Sequence, residues 1–259
     1  MRFCSLGSGS AGNSTLVEAS QGITTTRVLI DAGFSERELT RRLARAGCTP
    51  EDVDAVFITH EHGDHVGCSV AFSLRHRIPL VTSRGTWRAI AQPGFDTTLL
   101  HLARSGEAIT LGDLQLLPFA VPHDATEPLQ LCLHDGSARL GIITDLGSAP
   151  PTVAEALGAC HALLLECNHD EALLRAGPYP PSLQRRILGT HGHLSNDAAA
   201  DLLSRCQRAA LGTVVAAHLS ERNNAPPLAR AALAGVLHCV ADDIRVADPK
   251  AGTDWFAVG

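Results

Sequence analysis

The segment Thr59–Gly67, THEHGDHVG, places three histidines and two acidic residues within nine positions, directly after the apolar run AVFI. If that run is a buried strand, His60 and His62 lie two residues apart and point to the same side of an extended chain. Asp64 and His65 follow where the chain must turn, so they reach the same region from another direction. Neutral imidazole is the commonest protein metal ligand, and a carboxylate adds the negative charge that two adjacent divalent cations require. The segment therefore predicts a site for two metal ions.

Three further residues follow apolar, strand-like runs elsewhere in the chain: His123 in PHDA, Asp145 in TDLG and His218 in HLS. Each one alone is more often an ordinary loop residue. Because strand ends converge at one edge of a sheet, their shared position makes them candidates to complete the metal site.

The elements that must position these residues can be predicted from hydrophobic periodicity. Nine runs have the pattern of strands: Ser14–Ala19, Arg27–Asp31, Ala55–Thr59, Leu114–Val121, Leu129–His134, Arg139–Thr144, Ala162–Cys167, Thr213–His218 and Thr253–Val258. Four segments have helical patterns: Ser35–Ala46, Thr152–Leu157, Ser195–Ala210 and Pro226–Ala234. Strands occur in blocks and also singly between helices, which favours an α/β (α+β) fold of four αββα layers, two mixed sheets flanked by helices; a doubly wound sheet fits the pattern nearly as well.

Composition limits the class of protein. With 259 residues, 45% hydrophobic and 19% charged, the chain can bury a substantial core, and we expect one domain over residues 1–259. No apolar signal core and no run of about 18 apolar residues occurs, so we expect a soluble, cytoplasmic protein without membrane contact. Eight scattered cysteines without a CxxC pair are expected to be mostly buried apolar residues. The net charge of −6 argues against a broad nucleic-acid-binding face and leaves room for a local basic patch such as Arg185-Arg186.

The order of Asp31, HEHGDH, His123, Asp145 and His218 resembles the metallo-β-lactamase superfamily, whose fold is an αββα sandwich. The resemblance implies two divalent metal ions and a complete ligand set: His60, His62 and His123 on one, Asp64, His65 and His218 on the other, Asp145 bridging them, and Asp31 orienting a ligand histidine. Zinc suits these ligands, and manganese or iron is also tolerated by mixed nitrogen and oxygen donors. Class B β-lactamases carry cysteine at the position of Asp145, so antibiotic hydrolysis is not expected.

A narrower resemblance involves the segments SLGSGSAGNS, PHDATEPL, LLECNHD, GPYPPSLQRRI, GTHGHLSN and HLSERNN. Together they resemble the YycJ/WalJ family of bacterial metallohydrolases, which implies 5′→3′ exonuclease activity on DNA. The phosphonate-pathway cyclic phosphodiesterases share the core motifs, so a small-molecule phosphodiesterase is the alternative. A thioester hydrolase and a non-enzymatic metal-binding protein are further alternatives. No protein partner is indicated.

Several polar residues beside these motifs are candidates for substrate binding: Ser8, Ser10, Asn13, His169, Ser195, Asn196 and Asn223. Ser8, Ser10 and Asn13 lie in a glycine-rich segment that fits either a hairpin with N–H groups near a substrate oxygen or a structural turn. Ser195 or Asn196 is expected to cap a helix whose positive end suits a phosphate. His169 could instead order its own loop, and Asn223 could belong to an ordinary turn.

These residues suggest a mechanism. Two divalent ions would lower the pKa of a bridging water, Asp64 would orient the resulting hydroxide, and that hydroxide would attack phosphorus in line. Either His191 or His193, or a metal-bound water, then protonates the leaving oxygen, although both histidines could merely pack. A terminal 5′-phosphate held by the Ser8–Asn13 loop and the Ser195 helix end would favour exonuclease action.

Overall fold

Fourteen strands form two mixed sheets in the computed structural model, which describes residues 1–259. The first sheet contains β1 (Arg2–Gly7), β2 (Ser14–Gln21), β3 (Thr24–Ile30), β4 (Ala55–Ile58), β5 (Leu80–Ser83), β6 (Leu100–Ala103) and β14 (Phe256–Ala257), in the order β14-β1-β2-β3-β4-β5-β6. The second contains β7 (Ile109–Leu111), β8 (Leu114–Ala120), β9 (Leu129–His134), β10 (Arg139–Ile143), β11 (Ala162–Glu166), β12 (Thr213–Ala217) and β13 (Arg245–Val246), in the order β13-β12-β11-β10-β9-β8-β7.

Nine helices lie outside the sheets or in the loops between strands. They are α1 (Glu36–Arg45), α2 (Gly63–Val66), α3 (Ser69–His76), α4 (Arg84–Ile90), α5 (Pro151–Ala156), α6 (Glu171–Ala176), α7 (Pro181–Ile187), α8 (Asn196–Arg205) and α9 (Pro226–Leu237). The helix α1 begins where the Ser35 hydroxyl accepts a hydrogen bond from the Glu38 N–H, and it buries Leu39 and Leu43 against the first sheet.

Three apolar clusters account for the layers. One fills the space between the sheets with alternate residues of both, such as Phe57 on β4 and Leu131 on β9. A second packs α1 and α3 on the outer face of the first sheet, and a third packs α5, α8 and α9 on the outer face of the second. This αββα sandwich confirms the predicted fold. Six of the eight cysteines are buried and all are free thiols, as expected.

Parallel pairing aligns the strand ends that matter for function. In the first sheet β3, β4, β5 and β6 are parallel neighbours, and in the second β10, β11, β12 and β13 are. Their carboxyl ends lie at one edge of the sandwich, and the loops that leave this edge carry the candidate site.

All nine predicted strands and all four predicted helices overlap observed elements, with differences at their ends. The helix predicted to run to Ala210 ends at Arg205, because Cys206 is extended. Only Phe256 and Ala257 of the predicted last strand pair with β1.

Candidate metal centre

The predicted ligands lie together at the edge where the parallel strands end. His60 follows β4 by two residues, Asp145 follows β10 by two, and His218 directly follows β12. His65 is on the short helix α2, which comes after the loop that leaves β4. His123 lies in the loop after β8. The side chains therefore come from both sheets and meet between them.

One cluster consists of His60, His62 and His123. His60 Nε2 lies 3.1 Å from His62 Nδ1, and His123 Nε2 lies 3.3 Å from the same atom. His60 and His123 are buried, while the side chain of His62 is 30% exposed at the mouth of the site. Three ring nitrogens thus converge on one point.

The second cluster consists of Asp64, His65 and His218. Asp64 Oδ2 lies 3.6 Å from both His65 Nε2 and His218 Nε2. Asp145 lies between the two clusters, with Oδ2 at 2.7 Å from His65 Nε2 and Oδ1 at 3.9 Å from His123 Nε2. Asp145 is the residue that contacts both groups.

Hydrogen bonds at Nδ1 fix which nitrogen faces the centre in three of the predicted ligand rings. His65 Nδ1 lies 2.7 Å from Asp31 Oδ2, and His123 Nδ1 lies 3.0 Å from the Gly192 carbonyl. His218 Nδ1 lies 3.0 Å from Glu166 Oε1. Each Nδ1 therefore donates, which leaves Nε2 as the ligand atom, the usual arrangement for a metal-binding histidine.

Backbone strain is concentrated at the same strand ends. Asp31, Asp145 and His218 have φ angles of 60°, 65° and 55°, in the left-handed region that residues other than glycine rarely occupy. Each such residue costs on the order of 1–3 kcal/mol, and this strain is typical of functional sites. At these three positions the left-handed conformation directs the side chain away from the strand and into the space between the sheets.

The electrostatics of the two clusters differ. Burial, followed by repulsion from His65, lowers the pKa of His60 well below its usual value, and burial also lowers the pKa of His123. Burial has the largest single effect on His65 and His218 too and opposes their charge, but the surrounding carboxylates together outweigh it and raise the pKa of each to about 10. These are Asp145 and Asp31 around His65, and Asp145, Asp64 and Glu166 around His218. Burial would raise the pKa of Asp145, whereas His218 and His65 hold it well below its usual range. Metal binding would displace these protons.

The nitrogen and oxygen atoms that converge at the centre are suitable ligands for divalent cations. Because His123 Nδ1 donates to a carbonyl, His123 Nε2 is a lone-pair donor, and it faces His62 Nδ1 at 3.3 Å. His218 Nε2 is buried and makes no hydrogen bond within the chain. A cation would stabilise these converging nitrogens once the protons on the raised-pKa histidines are displaced, and the set of imidazoles and carboxylates suits zinc, manganese or iron.

The residue that sequence reasoning missed is Glu166, the last residue of β11. Its carboxylate is fully buried, and Oε1 accepts from His193 Nδ1 at 2.8 Å and from His218 Nδ1 at 3.0 Å. Oε2 accepts from the backbone N–H groups of Leu146 and Leu194. With both Nδ1 atoms donating to it, Glu166 positions histidines and leaves no free donor atom for a metal. An acidic residue closing the apolar run ALLLE was the available signal.

Of the two histidines predicted to protonate the leaving group, only His193 lies at the centre. Its Nδ1 is 3.2 Å from Asp145 Oδ1 as well as bonded to Glu166. Burial would lower the pKa of His193, but Glu166 and Asp145 raise it to about 11. His191 is exposed, and its Nδ1 contacts the Thr190 hydroxyl.

The glycine-rich segment after β1 forms hydrogen bonds with residues of the centre. The Ser8 hydroxyl donates to Asn13 Oδ1 and accepts from the His218 N–H. Asn13 Nδ2 lies 3.1 Å from His65 Nε2 and 3.3 Å from Asp64 Oδ2. Ser10 is exposed and remains available to a substrate.

Most of the other predicted substrate contacts are engaged within the protein. Ser195 caps α8 by accepting from the Ala198 N–H, and the Asn196 amide pairs with Asn224. Asn223 is buried, with Nδ2 donating to Ser220, and His169 is buried with Nδ1 beside Asn168. Buried atoms of Asn223 (Oδ1) and His169 (Nε2) have no partner in the chain.

Two mixed sheets enclosing a histidine and aspartate centre at their shared edge define a protein of the metallo-β-lactamase fold. The sequence family described as the beta-lactamase superfamily domain matches residues 26–218. The metallo-beta-lactamase fold protein YhfI from Bacillus subtilis has a similar structure, with a TM-score of 0.74 and 14% identity over 100% of this chain and 99% of that one.

Two curated proteins are similar along most of the chain. Exodeoxyribonuclease WalJ of Streptococcus pneumoniae serotype 2 is 33% identical over 232 residues, which cover 88% of this chain and 85% of WalJ. Exodeoxyribonuclease YycJ of Bacillus anthracis is 32% identical over 239 residues, which cover 92% and 89% respectively. The chain belongs to the WalJ/YycJ family of the metallo-β-lactamase superfamily, which confirms both predicted resemblances. None of its helices has the length and apolar character needed to cross a bilayer.

Proposed function

We propose that the protein is a 5′→3′ DNA exonuclease that hydrolyses phosphodiester bonds at a binuclear metal centre in the cytoplasm, with residues 1–259 acting as one domain. The observation that carries the proposal is the position of Asp145 between two ligand clusters, each completed by residues from both sheets. The similarity to WalJ and YycJ, both named exodeoxyribonucleases, supports DNA as the substrate.

The proposed ligands divide between two divalent ions, zinc or manganese in the first instance. His60, His62 and His123 would hold one, Asp64, His65 and His218 would hold the other, and Asp145, which lies between the two groups, would contact both. When bound, the ions supply a water of lowered pKa and neutralise charge that develops on the phosphate oxygens.

The chain's own residues complete the chemistry. Asp64, whose side chain is 25% exposed, orients the attacking water through its carboxylate. As the water oxygen bonds to phosphorus, the bond from phosphorus to the 3′ oxygen of the leaving nucleotide breaks. His193 gives its Nε2 proton to that 3′ oxygen, while Glu166 accepts from Nδ1 and stabilises the imidazolium. His193 has this role rather than His191, because only His193 contacts Asp145.

A small-molecule phosphodiesterase is the second candidate. The observation that favours it is the net charge of −6, since a protein that wraps DNA through its backbone phosphates is usually basic. The same metal centre would serve both substrates.

Hydrolysis assays on metal-analysed protein separate these candidates. Substrates are 5′-phosphorylated single-stranded and duplex DNA, a cyclic nucleotide and a simple phosphodiester, each with Zn²⁺ or Mn²⁺. We expect metal-dependent release of mononucleotides from the 5′ end, with loss of activity in His62→Ala. The matched control is His101→Ala, an exposed histidine on β6. Cleavage of only the small esters would contradict the exonuclease proposal.

A further inference from the structure

A cavity of about 240 Å³ opens beside the metal centre, between α7 and the loops that carry the ligands. Among the residues that line it are Ser10, Asp124, Asn168, Tyr179, Arg186 and His193. Two of them contact the centre directly: His193 Nδ1 is 3.2 Å from Asp145 Oδ1, and Asp124 Oδ1 is 3.5 Å from His123 Nε2. A molecule in the cavity therefore lies next to the group proposed to protonate the leaving oxygen.

One wall of this cavity is apolar and aromatic. Tyr179 lines it together with Leu183 and Ile187 of α7. Tyr179 is the only tyrosine in the chain and stands between two prolines in the segment GPYPP, so little backbone freedom is lost when the ring binds a ligand. A half-buried ring held in this way offers a face on which a nucleobase stacks.

Arg186 adds a positive charge to this otherwise apolar wall. Its Nε donates to Asp124 Oδ2 at 2.6 Å, which fixes the guanidinium at the mouth of the cavity. The side chain is 61% exposed, so its terminal N–H groups remain accessible to a phosphate. Ser10, exposed on the adjoining loop, adds a hydroxyl.

The volume sets the size of the ligand. At about 240 Å³ the cavity is smaller than the roughly 300 Å³ at which pockets for drug-sized ligands begin. It can receive a single base, with the sugar and phosphate at its mouth beside Arg186, and it is too small for a base pair. A nucleotide must leave its stack before it enters, at an unpairing cost that is least for a single strand.

We infer that this cavity binds the 5′-terminal nucleotide of the substrate, with its base against Tyr179 and its 5′-phosphate toward Arg186. The inference rests on the proposed exonuclease function and specifies its substrate site. His193 lines both the cavity and the centre, so the 3′ oxygen of the bound nucleotide is the leaving oxygen. The sequence predicts the Ser8–Asn13 loop and the Ser195 helix end as holders of this phosphate. The hydroxyls of Ser8 and Ser195 bond within the protein, and Ser10 of that loop lines the cavity.

The test uses the metal-loaded protein and two 5′-phosphorylated single strands, one of them abasic at its first residue. We expect the missing base to lower kcat/KM about tenfold in the wild type, the effect of losing one stacked base. Tyr179→Ala should show the same loss on the complete strand and no longer distinguish the two strands. Tyr179→Phe, which keeps the ring, should still distinguish them. Metal content measured in each variant checks that the centre is intact.

Direct binding gives a second readout that does not depend on turnover. Deoxyadenosine 5′-monophosphate should bind the wild type more tightly than Tyr179→Ala, and Arg186→Ala should weaken the monophosphate more than deoxyadenosine. The matched control is Arg175→Ala, which removes an exposed arginine of α6 paired only with Glu171.

Unchanged strand discrimination and unchanged nucleotide binding in Tyr179→Ala would overturn the inference even if DNA is degraded from its 5′ end. If the wild type cleaves no DNA but binds the nucleotide in a Tyr179-dependent way, the exonuclease proposal fails and the nucleotide site stands. The two failures are therefore distinguishable.

Discussion

At the scale of single residues, the centre depends on the groups behind its ligands. Asp31, Glu166 and the Gly192 carbonyl each accept a hydrogen bond from the Nδ1 of a ligand histidine. These bonds set the tautomer and the ring angle, and their loss typically costs 10- to 100-fold in metal affinity or activity. Glu166 differs from the other two because it also holds His193, which connects metal binding to proton donation.

Glu166→Gln is the sharpest test of this connection. All four hydrogen bonds at the carboxylate are donated to it, two by imidazoles at Oε1 and two by backbone N–H groups at Oε2. Whichever way the glutamine amide is oriented, its NH₂ group faces donors. We expect turnover of 5′-phosphorylated DNA to fall about 10- to 100-fold with reduced metal content, measured by steady-state kinetics and metal analysis.

Glu171→Gln is the control for charge removal, because Glu171 is exposed on α6 and pairs with Arg175 alone. Equal activity of the two variants would show that the Glu166 carboxylate is not needed to position the histidines.

That the candidate ligands lie together could be predicted because each follows a recognisable apolar run or lies in the loop after one. The partners of the supporting side chains could not, since they lie far away in sequence. Ser8 bonds to the backbone of His218, and Asn13 reaches His65. A sequence shows that such residues can donate and accept, and only the fold decides whether a substrate or the protein itself is the partner.

At the scale of elements, backbone hydrogen bonds join the loops next to the centre to one another and to α2. The Asn13 N–H donates to the Asp64 carbonyl, the Gly33 N–H donates to the Asn13 carbonyl, and the Ala32 N–H donates to the His65 carbonyl. These bonds attach α2, which carries two predicted ligands, to the loops after β1 and β3. The position of α2 therefore depends on how closely those loops approach it.

Gly33→Ala tests that approach. A Cβ at Gly33 would lie 1.7 Å from the Asp64 carbonyl oxygen, so α2 must move. We expect the free energy of unfolding to drop by about 1–3 kcal/mol, as in other overpacked sites, and metal affinity to fall with it. Urea unfolding of the metal-free protein and a chelator competition measure the two effects.

The control substitution, Gly63→Ala, lies in α2 itself. A Cβ at Gly63 meets nothing within 4 Å, so Gly63→Ala should preserve both stability and metal affinity. If Gly33→Ala also preserved metal affinity, the position of α2 would not depend on this contact.

Most of the elements that the sequence did not predict are short, although β4 and α5 are equally short and were predicted. The strands β5 and β6 have four residues each, and α6 and α7 have six and seven. Such elements are defined by pairing and packing rather than by their own periodicity. The strand β1 was missed because its residues precede a glycine-rich, polar segment, although five of its six residues are buried.

At the scale of the molecule, the metal centre joins the two sheets while the surface stays acidic. His60 and His65 follow a strand of the first sheet. His123, Asp145 and His218 follow strands of the second. The chain carries 21 lysines and arginines against 27 acidic residues. The proposed DNA substrate must therefore be held locally, by the metal centre and the Tyr179 and Arg186 cavity, rather than along a basic face.

This distribution of charge predicts a weak salt dependence. Each phosphate neutralised by protein cations contributes about −0.7 to the slope of log K against log salt for a single strand. With about two phosphates engaged, raising salt from 50 to 200 mM should weaken binding less than about tenfold. The measurement is the apparent KM for 5′-phosphorylated single-stranded DNA across that range, with small-phosphodiester hydrolysis in the same buffers as the control for salt effects on the centre. A loss of about 10³-fold, typical of proteins with six or more phosphate contacts, would instead require an extended basic path for the strand on an acidic molecule.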